Sequence, residues 1–240
     1  MSDNAAPPSE DRPPPREDAA PRGEDRPPPC EGTGPSSEDA QVGVGPHPEP
    51  WPDDDRLDPE LLSDGDRRNV VDRYRYWRVE AIRDDLDRSA SPLEVAIENW
   101  THDFNIGTVV RNANAFGVRR VHIVGRRRWN RRGAMVTDRY LHVEHQRDVE
   151  SLVAHARASG LDLVGIDNVE GAVPIEEVQL PQRSLLVFGT EADGLSVEAL
   201  AACSVVCGIT MYGSTRSLNA GVASGIAMYS WVRQHRPPGT

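Results

Sequence analysis

Lysine is absent from this chain: all 27 basic residues are arginine. A guanidinium makes planar, bidentate contacts to phosphate that an ammonium cannot, but so complete a replacement reads as the codon bias of a GC-rich genome rather than as selection for recognition. Cysteine is scarce as well, with three residues: Cys30 stands alone, and Cys203 with Cys207 has no second pair. That excludes a disulfide framework and a cysteine-built zinc site, and it points to reduced, intracellular thiols. No apolar run approaches the roughly 20 residues of a membrane span, and no basic stretch followed by an apolar one opens the chain. A cytoplasmic protein with no membrane partner is expected, and the glycosylation triplet Asn99-Trp100-Thr101 is then a coincidence. Nucleotide loops are also missing: no GxGxxG follows a strand pattern and no GxxxxGK[ST] occurs, so dinucleotide-binding and ATPase functions lose their support.

Aliphatic and aromatic residues are sparse up to Asp66, where the chain repeats blocks such as Glu10-Asp11-Arg12-Pro13-Pro14-Pro15 and Glu24-Asp25-Arg26-Pro27-Pro28-Pro29. Such a segment cannot bury enough apolar surface to offset about 1 to 2 kcal/mol per residue of backbone entropy. Residues 1–66 are therefore predicted to be a disordered, acidic, proline-rich tail. They carry 18 acidic and 5 basic side chains, a net of −13 against −11 for the whole chain, which leaves residues 67–240 with 20 acidic, 22 basic and +2. The folded part is mildly basic, so the acidic total does not exclude a polyanionic partner.

Within residues 67–240 the first pattern is helical. Val70, Val71, Tyr74, Trp77, Val79 and Ile82 recur mostly at three- and four-residue steps, which predicts an amphipathic adapter helix over 67–90. From Leu93 short aliphatic runs alternate with helical patterns: Leu93 to Ile97, Ile106 to Phe116, Val121 to Val124 and Val149 to Ala158. The series continues through Leu161 to Ile166, Leu185 to Phe188, Val197 to Ala202, Val205 to Ile209 and a final helix from Leu218 to Val232. This alternation predicts an α/β domain, a mostly parallel sheet with helices on both faces and ligands at the carboxyl ends of the strands.

Three segments carry chemistry. In Asn99-Trp100-Thr101-His102-Asp103-Phe104-Asn105-Ile106-Gly107-Thr108-Val109-Val110-Arg111-Asn112-Ala113-Asn114-Ala115-Phe116-Gly117, Asn105 and Gly107 open a helix. Arg111, about one and a half turns on, points back toward its start, where a phosphate or ribose could lie; a solvated helix face is the alternative. Leu185 to Leu195 is a buried-strand run ending in a glycine turn, Gly189-Thr190-Glu191-Ala192-Asp193-Gly194, that presents one carboxylate to a ligand amine or hydroxyl or serves only as a strand-to-helix turn. The third segment, Ile209 to Ala227, is a loop of small hydrogen-bonding residues leading into a helix rich in Ala, Gly and Ser, which suits close approach of a ligand or plain tight packing.

Taken together and in order, N-x-G-x(3)-R, FG-x-E-x(2)-GL and I-x-M-x-G-x(3)-SLN resemble the motifs of the SpoU/TrmH family of RNA 2′-O-methyltransferases, in the SPOUT superfamily, over about residues 93–233. The resemblance implies a knotted SPOUT methyltransferase fold whose last third forms a trefoil, an exception to the rule that chains are unknotted. It implies S-adenosylmethionine held between the second and third segments by Gly189, Ile209, Met211, Ser217 and Leu218. It places Arg111 at the ribose hydroxyl and Asn105, Glu191, Ser217 and Asn219 around it, and it implies a homodimer. Ala220 stands where Val is more usual. Whether Arg111 is the base, helped by the substrate phosphate, or stabilises the developing alkoxide stays open at this point, since an Arg pKa above about 12 suits a base poorly.

One local cluster fits an RNA partner, tRNA or rRNA: Arg126, Arg127, Arg128, Arg131 and Arg132 with Trp129 inside the run, offering phosphate contacts and stacking on an unpaired base. A solvated basic loop is the alternative. His142 and His145 have no third ligand nearby and read as surface histidines, so no metal is expected. The absence of a large N-terminal RNA-binding domain favours tRNA over rRNA. Three rivals remain: a catalytically silent RNA-binding protein on the same fold, which need not keep the pocket residues; a base-methylating SPOUT enzyme, whose third motif should diverge; and a small-molecule α/β enzyme, which has no use for the arginine cluster.

Overall fold

The structure is a computed structural model describing residues 43–101 and 105–236. The tail expected over 1–66 lies outside the described residues up to residue 42. Beyond that point the expectation fails, because residues 43–66 have a fold of their own. Val44 and Asp66 form an antiparallel bridge, and helix α1, Pro59–Asp64, is capped by Asp58 and buries Leu62. The organising group is the Asp66 carboxylate, fully buried, which accepts from the Arg68 guanidinium at 2.7 and 2.9 Å and from the backbone N–H groups of Arg68 and Tyr76, each at 2.9 Å. A composition count misses such a module because charged hydrogen bonds rather than apolar area hold it.

The same carboxylate explains why the adapter helix is not continuous. Asp66 holds the Tyr76 amide while Tyr76 takes a left-handed φ of 64°, so only a 3-10 turn, Asp72–Tyr74, forms before helix α2, Val79–Ser89. Most apolar residues of the pattern still converge: Val70, Tyr74, Trp77, Val79 and Ile82 pack with Leu86 and Tyr140 in one small cluster, whereas Val71 is 61% exposed.

The predicted α/β alternation holds nearly element by element. Strand β1 is Glu94–Asn99, helix α3 Ile106–Ala115, β2 Arg120–Gly125, β3 His142–Gln146, α4 Val149–Ser159, β4 Asp162–Ile166 and β5 Val173–Pro174. Strand β6 is Ser184–Phe188, α5 Val197–Ala202, β7 Val205–Gly208 and α6 Ala220–His235. The seven strands lie in the order β3-β2-β1-β6-β4-β7-β5, with every pairing parallel. β3 and β5 escape the aliphatic pattern because both are edge strands: one carries His, Glu and Gln around a single Val, the other is two residues long, and neither needs an apolar run.

Two apolar layers sandwich the sheet, as a parallel sheet buried on both faces requires. Val95, Ile97, Val121, Ile123, Leu186 and Phe188 pack under α3 and α6, where Trp231 is 1% exposed and donates its indole N–H to Pro181 O at 3.0 Å. Ala96, Val124, Leu163, Leu185 and Val187 pack under α4 and α5. Asp148 caps α4 by accepting from Ser151 N at 2.8 Å, and Gly160 ends it with a left-handed φ of 60°. No described helix is long and apolar enough to cross a membrane.

Burial pushes the Asp66 carboxyl up, but the hydrogen bonds from Arg68 and the two backbone N–H groups outweigh it and hold the group at about 2 against an ordinary 3.8. Its folded value is depressed, so its contribution to stability is complete above 3.8 and is lost as pH falls toward 2. Asp66→Ala is expected to cost the 43–90 module about 3 kcal/mol, because it removes a buried acceptor of four hydrogen bonds and leaves the partly exposed Arg68 guanidinium with only the Trp77 carbonyl. Hydrogen exchange over residues 44–78 measures both effects and should leave the sheet protected.

Candidate active site

All three chemical segments end at the carboxyl edge of the sheet. The first follows β1: Asn105, 7% exposed, stands at the start of α3 and donates its amide to Glu191 Oε2. The second follows β6 and supplies Glu191. The third supplies Asn219, whose amide nitrogen donates to Asn105 Oδ1 at 2.9 Å and to Glu191 Oε1 at 3.2 Å. Asn219 also works in the other direction, its Oδ1 accepting from Gly221 N at 3.0 Å and Val222 N at 3.3 Å to cap α6. That cap fixes which end of the amide faces Glu191. One carboxylate thus stands at the N-termini of two helices, where the helix dipoles favour a negative charge.

The turn that carries Glu191 tolerates only glycine at its start. A Cβ on Gly189 would lie 1.9 Å from Gly194 C, because Thr190 and Gly194 exchange two backbone hydrogen bonds of 2.9 Å and fold the loop back on itself. Asp167, just beyond β4, accepts from Leu195 N at 2.7 Å and holds the far side of this turn, while Asn168 Oδ1 holds Ile209 N at 2.8 Å. Between these walls lies a cleft of about 290 Å³, lined by Ile166, Phe188, Gly189, Glu191, Ile209 and Leu218 among others.

Residues 92–229 match the SpoU rRNA Methylase family. The chain belongs to that family. It is 29% identical over 157 residues to the tRNA (guanosine(18)-2′-O)-methyltransferase of Escherichia coli, covering 64% of this chain and 69% of that one. The A. aeolicus TrmH/SpoU tRNA modifying enzyme shares the fold, with a TM-score of 0.58 at 24% identity over 65% of this chain and 82% of its own. The SpoU methyltransferase AviRb from Streptomyces viridochromogenes, crystallised with the cofactor AdoMet, gives a TM-score of 0.53 at 29% identity over 61% of this chain and 58% of its own.

Within the SpoU framework the expected site residues fall into three groups. Asn105, Glu191 and Asn219 touch one another; Gly189, Ile209, Ser217 and Leu218 line the cleft. Met211 stands outside that lining, its sulfur 3.7 Å from Asn168 Nδ2. Arg111 is exposed on α3 and has no hydrogen bond or ion pair with the described residues, so the structure does not join it to the Glu191 network. Its neighbour Asn112 ties α3 to α6 instead, donating to Gly221 O at 2.9 Å and Ser224 Oγ at 3.0 Å.

The five arginines from Arg126 to Arg132 are all exposed, and the loop that bears them is fixed to the site by a residue that sequence reading passed over. Asn99, buried at the end of β1, donates to Arg126 O at 2.7 Å and Arg128 O at 3.0 Å, so the coincidental glycosylation triplet begins with a structural asparagine. Gly107 lets the 132–134 turn press against α3, since a Cβ there would lie 2.7 Å from Ala134 N. Trp129 is half-buried against the core, with the Arg131 guanidinium 5.5 Å from its ring centre, rather than held out for stacking. Glu98, also buried, accepts from Trp100 Nε1 at 2.9 Å, Ser196 Oγ at 2.6 Å and Ser196 N at 2.8 Å, joining the first segment to the start of α5. No local pattern announces Glu98, Asn99 or Asp167; their only signal is a polar residue ending an otherwise apolar strand.

Asn219→Asp separates the two jobs of that residue. The α6 cap survives, but a second carboxylate then faces Glu191. The variant should keep its fold by circular dichroism and lose methylase turnover by about 100-fold or more.

Proposed function

We propose that this protein transfers a methyl group from S-adenosylmethionine to a ribose 2′-hydroxyl of a structured RNA, with tRNA favoured over rRNA. The observation that carries the proposal is the junction of Asn105, Glu191 and Asn219 beside the cleft at the carboxyl ends of β1, β6 and β4. The cleft suits the cofactor: apolar Ile166, Phe188, Ile209 and Leu218 line it beside the polar Glu191 and Ser217 and the backbone of Gly189. Bound there, S-adenosylmethionine supplies an electrophilic methyl. The chain's share is positioning, worth up to about 7 to 11 kcal/mol in favourable cases. Gly189, Ile209, Ser217 and Leu218 hold the cofactor side, and Asn105, Glu191 and Asn219 form a pre-set polar wall. Arg111, with no protein partner among the described residues, meets the ribose and its phosphate; in this reading it stabilises the developing alkoxide, since it carries a fixed charge and no hydrogen-bond acceptor, while the hydroxyl proton passes to the adjacent substrate phosphate as the O–C bond forms and the S–C bond breaks.

The exposed arginines 126, 127, 128, 131 and 132 take the RNA backbone on a loop that Asn99 ties to the same edge. Preference for tRNA is supported by the similarity to the E. coli tRNA enzyme. The trefoil is supported by β6 entering between β1 and β4 and by α6 returning onto α3. A homodimer in the cytoplasm completes the proposal; Val222 and Tyr229, both more than half exposed and seven residues apart on α6, offer one face to a second copy.

Methyl transfer from labelled S-adenosylmethionine into separate tRNA and rRNA pools, followed by nuclease digestion, tests the proposal. Label is expected on a ribose 2′-oxygen of tRNA and should vanish in Arg111→Ala while cofactor binding persists. Label confined to rRNA overturns the substrate preference; no label in either pool, with the cofactor bound, moves the protein to the silent RNA-binding class. Replacing Arg126, Arg127 and Arg128 by Gln should lower the slope of log affinity against log salt by about 2, because each phosphate neutralised by an arginine contributes about 0.7 to 0.9 to that slope.

A further inference from the structure

At the opposite end of the strands, beneath α4, lies a cluster that methyl transfer does not use. Glu94 opens β1, His122 stands on β2 facing the same side of the sheet, and His155 reaches down from α4. Glu94 is 4% exposed and His122 is fully buried. Both imidazoles converge on one oxygen: His122 Nε2 is 2.8 Å and His155 Nε2 is 2.7 Å from Glu94 Oε2, and the three ligand atoms lie within 4.8 Å of one another. Among the described residues no arginine ion-pairs with this buried carboxylate; the nearby Arg120 is engaged with Glu144 at 3.0 Å.

We propose that Glu94, His122 and His155 form a binding site for a divalent transition metal of the zinc class, a clamp that fastens α4 to β1 and β2. Two imidazole nitrogens and one carboxylate oxygen are a donor set that zinc takes with a fourth position left to water. The three ligands sit on two strands and a helix that are already packed, so little chain entropy is lost on binding. His155, with 18% of its side chain exposed, marks the entry path.

Outer partners are present as well. His122 Nδ1 lies 3.1 Å from Gln146 Nε2 and 3.9 Å from Glu144 Oε2. When Nε2 ligates a metal its proton moves to Nδ1, which then donates to the turned Gln146 amide or to Glu144, the arrangement that orients metal-bound histidines generally. The ligands come from positions 94, 122 and 155, a spacing that no local motif search detects.

The test uses the full chain without a histidine tag, stripped with a chelator and titrated with zinc chloride by calorimetry, with cobalt(II) as a spectroscopic probe. The wild type should bind one equivalent of zinc, gain thermal stability and show the visible band of a four-coordinate cobalt site. His155→Ala, at the rim, and Glu94→Gln, of equal volume, should lose all three responses, whereas His142→Ala, whose ring pairs with Asp87 at the surface, should keep them. Glu144→Ala should weaken zinc binding by about 10- to 100-fold. Absence of stoichiometric zinc binding in the wild type, or binding unchanged in His155→Ala and Glu94→Gln, overturns the proposal and leaves the cluster a hydrogen-bond network only.

Discussion

The Glu191 carboxylate, gripped by the amides of Asn105 and Asn219, is the constraint on which the rest of the site depends. Because Glu191 and Asn219 are solvent-exposed, these hydrogen bonds add little net stability; what they do is bring together three chain segments far apart in sequence. Asn219 cannot turn without releasing the α6 cap, and Asn105 cannot shift without moving α3. The Glu191 backbone is held by the Gly189 to Gly194 turn. Positioning of polar groups ahead of the ligand is a main source of enzymatic rate.

The parallel sheet gives the two ends of the molecule different work. At the carboxyl ends of β1 and β4, polar residues at or just past the strand hold loops: Asn99 the arginine loop, Asp167 the Glu191 turn, Asn168 the backbone at Ile209. At the amino ends, Glu94 and His122 meet His155 under α4, away from the cleft. Both faces between are filled by aliphatic side chains. The two polar regions can therefore change independently, one serving chemistry and the other fastening a helix.

Much of this is legible in the sequence because aliphatic runs and helical periods survive in a parallel α/β sheet. β1, α3, β2, α4, β4, β6, α5, β7 and α6 lie within a few residues of their expected bounds. Where the pattern misleads, a charged group has replaced apolar area as the organising force: Asp66 folds residues that look like tail and breaks a helix at Tyr76. In the site, motif order identifies Asn105, Glu191 and Asn219 but cannot show that they touch. Glu98 and Asn99 are invisible, since a polar residue at a strand end looks the same whether it holds a loop or faces water. Trp129 looks like a stacking platform only because its packing against the core is a tertiary fact.

The central claim, that the three segments act as one unit through Glu191, is tested most directly by a double-mutant cycle on single-turnover methyl transfer. Asn105→Ala and Asn219→Ser, the latter keeping a capping oxygen for α6, remove the two grips separately. If the network is one unit, each single variant slows transfer substantially and the double variant loses little beyond the worse of the two. Losses that multiply, as for independent residues, would show that Glu191 is not the junction of the site.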